Sequence, residues 1–485
     1  MDIIHSSLVD HPVKIPERSV YRHQTARWIQ DEFGSVDLGD GRLNQRLLSI
    51  MQSFCSQPDA SIPQATGSWD KTKGAYRFMD NPRVTPIKIL EPHYEATKSR
   101  IGEEEVVLAV QDTSYLNFTH HPETKGLGTI ATDPSLRGIV LHSTLAFTPQ
   151  RTPLGLIHQL AWIRPPEEYG KKHQRYKKSI HQKESRKWLA SLEATEKIQK
   201  ESPGTLLINI GDREADIYEL FLQAASGHCH LLVRAAWDRR VEHPEKYLWS
   251  YLQAQPRAAS LTVTIPRKDK KPERIATVEV RFAPVTLKSP RNNQSSEPSL
   301  KVRAVYVNEL SPPEGEEPLS WLLLTTLKAE SLEEAIQYVE YYAVRFSIEL
   351  FHKVLKSGCR IEKYQLKTAE RLIRCLAIDS VVAWRVMFLT MLGREVPDLP
   401  CTVLFEEHEW KALYCFAHHT QKPPENPPSL GETVNLVAQL GGFLSRKSDG
   451  HPGVQVLWRG MKILSIISGA WIAFGPESTS ASRAP

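Results

Sequence analysis

Five side chains in one short stretch have the types and spacing to bind and orient a phosphate: Tyr342, Arg345, Glu349, Lys353 and Lys356, at steps of three, four, four and three residues. At about 100° per residue, a helix gathers them within roughly 80° of its circumference. Such a stripe presents a carboxylate flanked by cations and a phenol. A salt-bridged surface helix has the same spacing, because Glu and Lys four residues apart attract weakly. Two further carboxylates favour chemistry. Asp112 closes the apolar run VVLAVQD and Asp212 closes TLLINIGD, and both runs read as buried strands. A single Asp at a strand end is more often a turn or cap residue. Three carboxylates from strand, strand and helix make an oxygen-only site for a hard cation. Mg2+ suits such a site and keeps waters that substrate phosphates replace.

These groups need elements to position them. Ser331 and Glu334 form a capping box and Gly358 suits a C′ position, which predicts one helix of about seven turns between them. After Asp112, GIVLHSTLAFTP and PLGLIHQLAWIRP read as an antiparallel hairpin turning at Gln150 to Thr152. Lys183 to Lys200 reads as a helix, DREADIYELFLQAA as another and HCHLLVRAA as a strand. The order is therefore three strands, helix, strand, helix, strand. Residues of about 239–320 interrupt it with the alternating stretches SLTVTIP, ATVEVRFAPV and LKVRAVYVNEL, which predict an inserted β-rich subdomain; SWLLLTT returns the chain to the core. Up to about Arg100 the pattern is helical, in HQTARWIQDEF, RLNQRLLSIMQSF and DKTKGAYRFMDNP. Beyond residue 365, LIRCLAIDSVVAWRVMFLTML is apolar on more than one face, so part of it is buried.

The chain of 485 residues has room for two to four domains, and its 41 % apolar and 24 % charged residues are those of a soluble globular protein. The net charge of +5 does not by itself imply a polyanion partner, but the charge is uneven. Lys171 to Lys187, Arg267 to Arg274 and Arg345 to Arg374 are locally basic, as contacts to phosphates require. Any one such run is more often a solvated face. The six cysteines contain no CxxC pair, which argues against a zinc site and a disulfide framework and suits a reducing cytoplasm. MDIIHSSLVDHP lacks the basic start and apolar core of a secretory signal, and the apolar stretch Ile463 to Phe474 is too short to span a bilayer. No membrane segment is expected.

Tyr342, Arg345, Glu349 and Lys356 together form the Y(2)R(3)E(6)K motif, and with it the chain resembles the insertion-sequence-four family of DDE transposases. GDREADIYELF around Asp212 and AVQDTSYL around Asp112 resemble that family's other acidic segments. GDGRLNQR and GAYRFMDNP are similar to its N-terminal DNA-binding domain, and IHQLAWIRP, KESRKWL, WLLLT and LGGF extend the resemblance along nearly the whole chain. The sequence departs from the family's pattern at Phe346, which replaces a tryptophan, at Ser347, and in the longer basic segment from Pro165 to Gln182.

The resemblance implies an α/β fold: an RNase H-like catalytic core over residues 101–365 with the β-rich insertion at about 239–320. A helical DNA-end-binding domain over 1–100 and a helical, dimerising domain over 366–485 would flank it. It implies that Asp112, Asp212 and Glu349 are the catalytic triad and hold two Mg2+ ions, with Mn2+ substituting. Tyr342, Arg345 and Lys356 would contact phosphates, Lys353 and Arg234 would contact DNA, and Trp321 would stack on a flipped base. Arg46 and Arg77 would read the end sequence. The implied partners are double-stranded DNA, as terminal inverted repeats and as target, and a second copy of the chain. No membrane and no nucleotide cofactor is implied, and the setting is the bacterial cytoplasm at the nucleoid. A DNA-binding protein without catalysis is the first alternative, against which all three carboxylates and the motif cations stand. A nuclease or phosphatase without joining is the second, and the helical ends speak against it. A structural protein with surface ion pairs is the third, and it predicts no metal dependence.

Overall fold

A computed structural model describes residues 25–165, 170, 179–265, 274–290 and 299–476. Five helices open the described chain: α1 (Thr25–Phe33), α2 (Gly41–Ser56), α3 (Ile62–Thr66), α4 (Trp69–Asp80) and α5 (Pro86–Ile101). Short polar residues start several of them. Asp40, Ser68 and Thr85 each accept a hydrogen bond from a backbone N–H of the first turn, and Pro86 follows Thr85 where no N–H is needed.

The strands β1 (Val106–Asn117), β2 (Gly128–Thr129), β3 (Arg137–Phe147) and β4 (Pro153–Trp162) come next. They are followed by α6 (Arg186–Glu201), β5 (Leu206–Gly211), α7 (Tyr218–Ser226) and β6 (His230–Arg234). β4, β3 and β1 pair antiparallel, while β5 pairs parallel with β1 and β6 parallel with β5, so the order across the sheet is β4-β3-β1-β5-β6. This mixed sheet, with helices packed against both of its faces, is the α/β architecture expected from the sequence.

The insertion differs from the sequence expectation. It comprises α8 (Leu248–Gln253), β7 (Ala259–Ile265), β8 (Arg274–Lys288) and β9 (Ser299–Glu309), and the chain returns in β10 (Ser320–Thr325). Its strands form no separate subdomain. β10 pairs with β6 and β9 with β10, and β8 and β7 continue the same sheet outward. Alternation along a strand marks only which side chains share a face, so it carries no information on which strand lies alongside.

That alternation divides the interior in two. Leu108 and Val110 of β1, Ile208 and Ile210 of β5, Leu232 of β6 and Leu323 of β10 face one layer. Val107, Ala109, Leu207, Leu231, Val233, Leu322 and Leu324 face the other, against Trp188 and Leu192 of α6 and Phe221 of α7. The first layer holds α1 to α5 and the helices that end the chain: α9 (Leu332–Ala343), α10 (Ser347–Lys353), α11 (Ala369–Glu395), α12 (Glu407–Ala417), α13 (Leu430–Leu440) and α14 (Val454–Phe474).

Buried charges tie the first helices to the sheet. Glu32 of α1 accepts from Arg100 at 2.9 and 3.0 Å and lies 2.5 Å from His93 Nδ1, while Arg100 Nε and His93 Nε2 bond the β4 backbone at Leu154 and Leu156. Burial acts to raise the Glu32 pKa, but Arg100 and His93 together hold the carboxyl well below its usual range. From the other side, Arg371 pairs with Asp80, and Arg374 donates to the carbonyls of Met79 and Val84. These two arginines of the basic stretch 345–374 thus serve as internal links.

Among the described residues, α11 and α14 are long and apolar enough to cross a membrane by length and composition, a test that buried core helices also pass. The apolar stretch of α11 is wholly buried within the protein, as in a core helix, whereas that of α14 is 28 % buried and leaves Ile466, Ile472 and Phe474 exposed.

Candidate active site

Sheet register brings the two aspartates together. β1 and β5 pair up to Val110 beside Ile210, and β5 and β6 pair up to Gly211 beside Val233. Extending both registers sets Asp112, Asp212 and Arg234 in one row, with Leu323 of β10 opposite Arg234. All three polar residues share the parity of the side chains that face the first layer, where the motif helix lies. β1 runs on to Asn117, so Asp112 is not at a strand end; it stands just past the point where the parallel pairing stops. Asp212 follows β5 directly. Gly211 before it has no room for a side chain, since a Cβ there would come within 2.4 Å of the Ala215 Cβ. The helix expected over 212–225 is broken. Asp212 caps a short 3-10 turn, Arg213–Ala215, and α7 starts at Tyr218.

Each aspartate is held by a backbone amide: the Thr113 N–H donates to Asp112 Oδ1 at 2.8 Å, and the Glu214 N–H to Asp212 Oδ1 at 2.8 Å. Burial pushes the Asp112 carboxyl up to about 6; the Thr113 amide and Arg345 act against this, and Asp212 and Glu349 add repulsion. Burial also raises Asp212; the Glu214 amide acts against this, and the Glu214 carboxylate adds repulsion. The site thus concentrates negative charge in a poorly solvated place.

The motif helix starts at the expected capping box, where Ser331 and Glu334 exchange hydrogen bonds of 3.2 Å. It is not one uniform helix. α9 tightens into a 3-10 turn at Val344–Phe346, α10 carries Glu349, and a π turn follows at Val354–Gly358. Nor does Gly358 act as the C′ residue. Arg360 takes the left-handed conformation at φ 52°, and a Cβ at Gly358 would press to 3.0 Å on the Trp458 ring of α14.

The changes of pitch give the motif residues unequal settings. Tyr342 is buried, its ring edge-on to Trp321 at 5.3 Å, and burial pushes its hydroxyl up to about 12. Arg345 is buried over the Phe346 ring and donates from Nη2 to Glu349 Oε1 at 2.6 Å. Glu349 is about half exposed at 49 %, Lys353 is exposed and Lys356 is partly buried. Arg234 donates to the Ser320 carbonyl at 2.8 Å beside Tyr342. Trp321, only 5 % exposed, has its ring packed between Tyr342 and Phe346. Arg46 and Arg77 lie in the first helices, apart from this row: the Arg46 guanidinium crosses Gly74 of α4, one turn from the exposed Arg77.

Several neighbours were not singled out from the sequence. His352, three residues after Glu349, is buried with Nδ1 3.8 Å from Asp112 Oδ2, and burial holds it down to about 3. His142 on β3 meets the Thr113 hydroxyl at 3.0 Å. Lys187 closes a basic run but is buried: it lies over the Trp162 and Trp188 rings, with Nζ 3.1 Å from Glu214. The i,i+3 step from Glu349 was the available signal for His352; composition hid Lys187. In the other basic runs, residues 171–178 and 267–273 lie outside the described residues, and Arg274 pairs with Glu309 and Glu316.

Among the described residues, no three acidic, imidazole or thiol groups converge closely enough to hold a metal ion. The chemistry of the donors nonetheless fits one. Asp112 and Asp212 belong to the row, Glu349 adds its charge near Asp112, and Arg345 is paired with Glu349 and attracts both aspartates. Crowded, desolvated oxygen ligands of this kind suit a hard divalent cation.

Two stretches match known families. Residues 25–84 match the family described as transposase DNA-binding, and residues 381–479 match the transposase Tn5 dimerisation domain. The second range includes the exposed apolar residues of α14. One similar solved structure is the piggyBac transposase synaptic complex with hairpin DNA, 10 % identical, with a TM-score of 0.35 over 78 % of this chain and 74 % of that one. The fold rests on the strand order above and not on that superposition. With a transposase DNA-binding domain on its first helices and a Tn5 dimerisation domain on its last, the chain is a Tn5-like transposase.

Proposed function

We propose that this transposase works by DDE chemistry: Asp112, Asp212 and Glu349 hold two Mg2+ ions, which Mn2+ can replace, and the chain moves a DNA segment by cut and paste. It binds terminal inverted repeats, cuts one strand with water, forms a hairpin with the freed 3′-hydroxyl, reopens it, and joins the 3′-hydroxyl to target DNA. The observation that carries this reading is the row of Asp112 and Asp212 on neighbouring strands, on the face where the helix brings Glu349. When bound, the ions supply Lewis-acid activation and offset charge on the attacking and leaving oxygens.

The chain's own residues bind and orient. Asp112, Asp212 and Glu349 would together hold the ions. Arg345, Lys356 and Tyr342 hold phosphates at the cut end, with Lys353 and Arg234 as further contacts; positioning is most of what a protein does in phosphoryl transfer. Water and the DNA's own hydroxyl are the nucleophiles, and Tyr342 stays protonated as a phosphate contact. Trp321 receives a flipped base once its contact with Tyr342 opens. Arg46 and Arg77 read the end sequence, and two protomers pair across two DNA ends through the C-terminal helices. The setting is the bacterial cytoplasm, at the nucleoid.

The test is cleavage and joining of DNA carrying the element's own ends, in Mg2+, by the wild type and by Glu349→Ala. The wild type is expected to cut and join, and the variant to bind without cutting. A variant that cuts as well as the wild type would overturn the triad.

A further inference from the structure

Glu349 differs from the two aspartates in what holds it. Its carboxylate is bound by Arg345 at 2.6 Å and not by a backbone amide. Arg345 is buried, stacked 4.5 Å from the Phe346 ring centroid, and its Nε–H has no acceptor among the described residues. Its charge also reaches Asp112 and Asp212, so one guanidinium serves three carboxylates. From this geometry we propose, resting on the metal reading above, that Arg345 is a positioning residue for Glu349. It keeps Glu349 out of the metal set until a DNA phosphate takes the guanidinium.

A guanidinium fork suits a carboxylate or a phosphate equally well, so the two compete for it. Arg345 meets Glu349 through Nη2, while its buried Nε–H finds no acceptor among the described residues, so the guanidinium is incompletely satisfied by Glu349 and open to exchange for a phosphate on the exposed side of the pair. Glu349 is half exposed and can swing through solvent, whereas Asp112 and Asp212 are pinned by the Thr113 and Glu214 amides. The third ligand therefore joins only after DNA has arrived, and a free enzyme does not assemble its full metal set. By linkage, phosphate strengthens metal binding and metal strengthens phosphate binding by the same factor.

The test is Mn2+ affinity by calorimetry on the full chain without DNA, for the wild type, Glu349→Gln, Arg345→Gln and the double variant, with melting curves to confirm folding. Glu349→Gln is expected to change the wild-type affinity by less than about twofold. In the Arg345→Gln background the same change is expected to weaken binding by about tenfold or more. Arg345→Lys, which keeps the charge without the fork, serves if Arg345→Gln does not fold, with the same direction expected. Equal weakening by Glu349→Gln in both backgrounds would show Glu349 already engaged and overturn the proposal. No effect in either background, while Asp112→Asn abolishes binding, would also overturn it. Arg213→Gln removes a nearby cation without touching Glu349. If it sensitises Mn2+ binding to Glu349→Gln as strongly, bulk charge is the cause and the proposal fails. If Asp112→Asn leaves Mn2+ binding unchanged, the metal reading itself fails, and this inference with it.

Discussion

The two strand aspartates and the helix glutamate reach the same site by different physics. Asp112 and Asp212 are set by sheet register, on adjacent strands, each pinned by a neighbouring amide and poorly solvated. Glu349 is set by the pitch of an interrupted helix, is half exposed, and is held by a side chain. A sheet fixes a ligand at a cost in solvation; a helix surface leaves one free to move. The site combines a pair pinned by backbone amides with a third carboxylate held by a side chain.

The comparison can be broken by function first. Asp112→Ala and Asp212→Ala are expected to lower single-turnover cleavage by more than about a thousandfold with DNA binding intact. A loss of less than tenfold in either would remove that residue from the triad.

Stability against pH gives the next largest effect. The Asp112 carboxyl is raised to about 6 in the fold, against about 3.9 in an unfolded chain. Below about pH 4 both states are protonated and the group costs nothing. Between about pH 4 and 6 the unfolded state binds fewer protons, so stability falls as pH rises, by an amount on the order of 3 kcal/mol that persists above pH 6. Asp112→Asn should remove this dependence and be the more stable protein at pH 7 without divalent cations, as read by denaturant unfolding. Glu349→Gln, at a half-exposed position, should show no comparable gain. Parallel pH profiles for the wild type and Asp112→Asn would mean that the strand pair is better solvated than its burial implies.

Trp321 sharpens the contrast from the sheet side. Trp321→Ala is expected to reduce hairpin formation more than first-strand nicking, by the roughly 1–3 kcal/mol that base stacking is worth. Equal loss of both steps would assign the ring to packing against Tyr342 alone. The smallest effect concerns the start of the motif helix. Ser331→Ala removes an N-cap and should cost about 1 kcal/mol of stability, with Mn2+ affinity little changed.

Much of this was legible in the sequence because it is local. The capping box at Ser331, the hairpin of β3 and β4, and the apolar runs before Asp112 and Asp212 were read from periodicity and turn chemistry and recur in the structure. The motif spacing marked Tyr342, Arg345 and Glu349 as neighbours, and two of those three are directly bonded. Less legible was how far β1 continues. TSYLN after Asp112 is not an apolar run, and its strand state comes from pairing with β3.

By itself the sequence determined which residues are apolar or charged, where helices begin, and which side chains recur at a helical or strand period, since each depends on near neighbours along the chain. The tertiary structure decided what depends on partners distant in sequence. The insertion became an extension of the central sheet because β10 pairs with β6 and β9 with β10. Lys187 left the solvated face because two tryptophans and Glu214 receive it. Gly358 turned from a helix stop into a seat for Trp458. Asp112 lies beside Asp212 because two strands separated by a hairpin and a helix share one register, and no periodicity within either strand encodes that pairing.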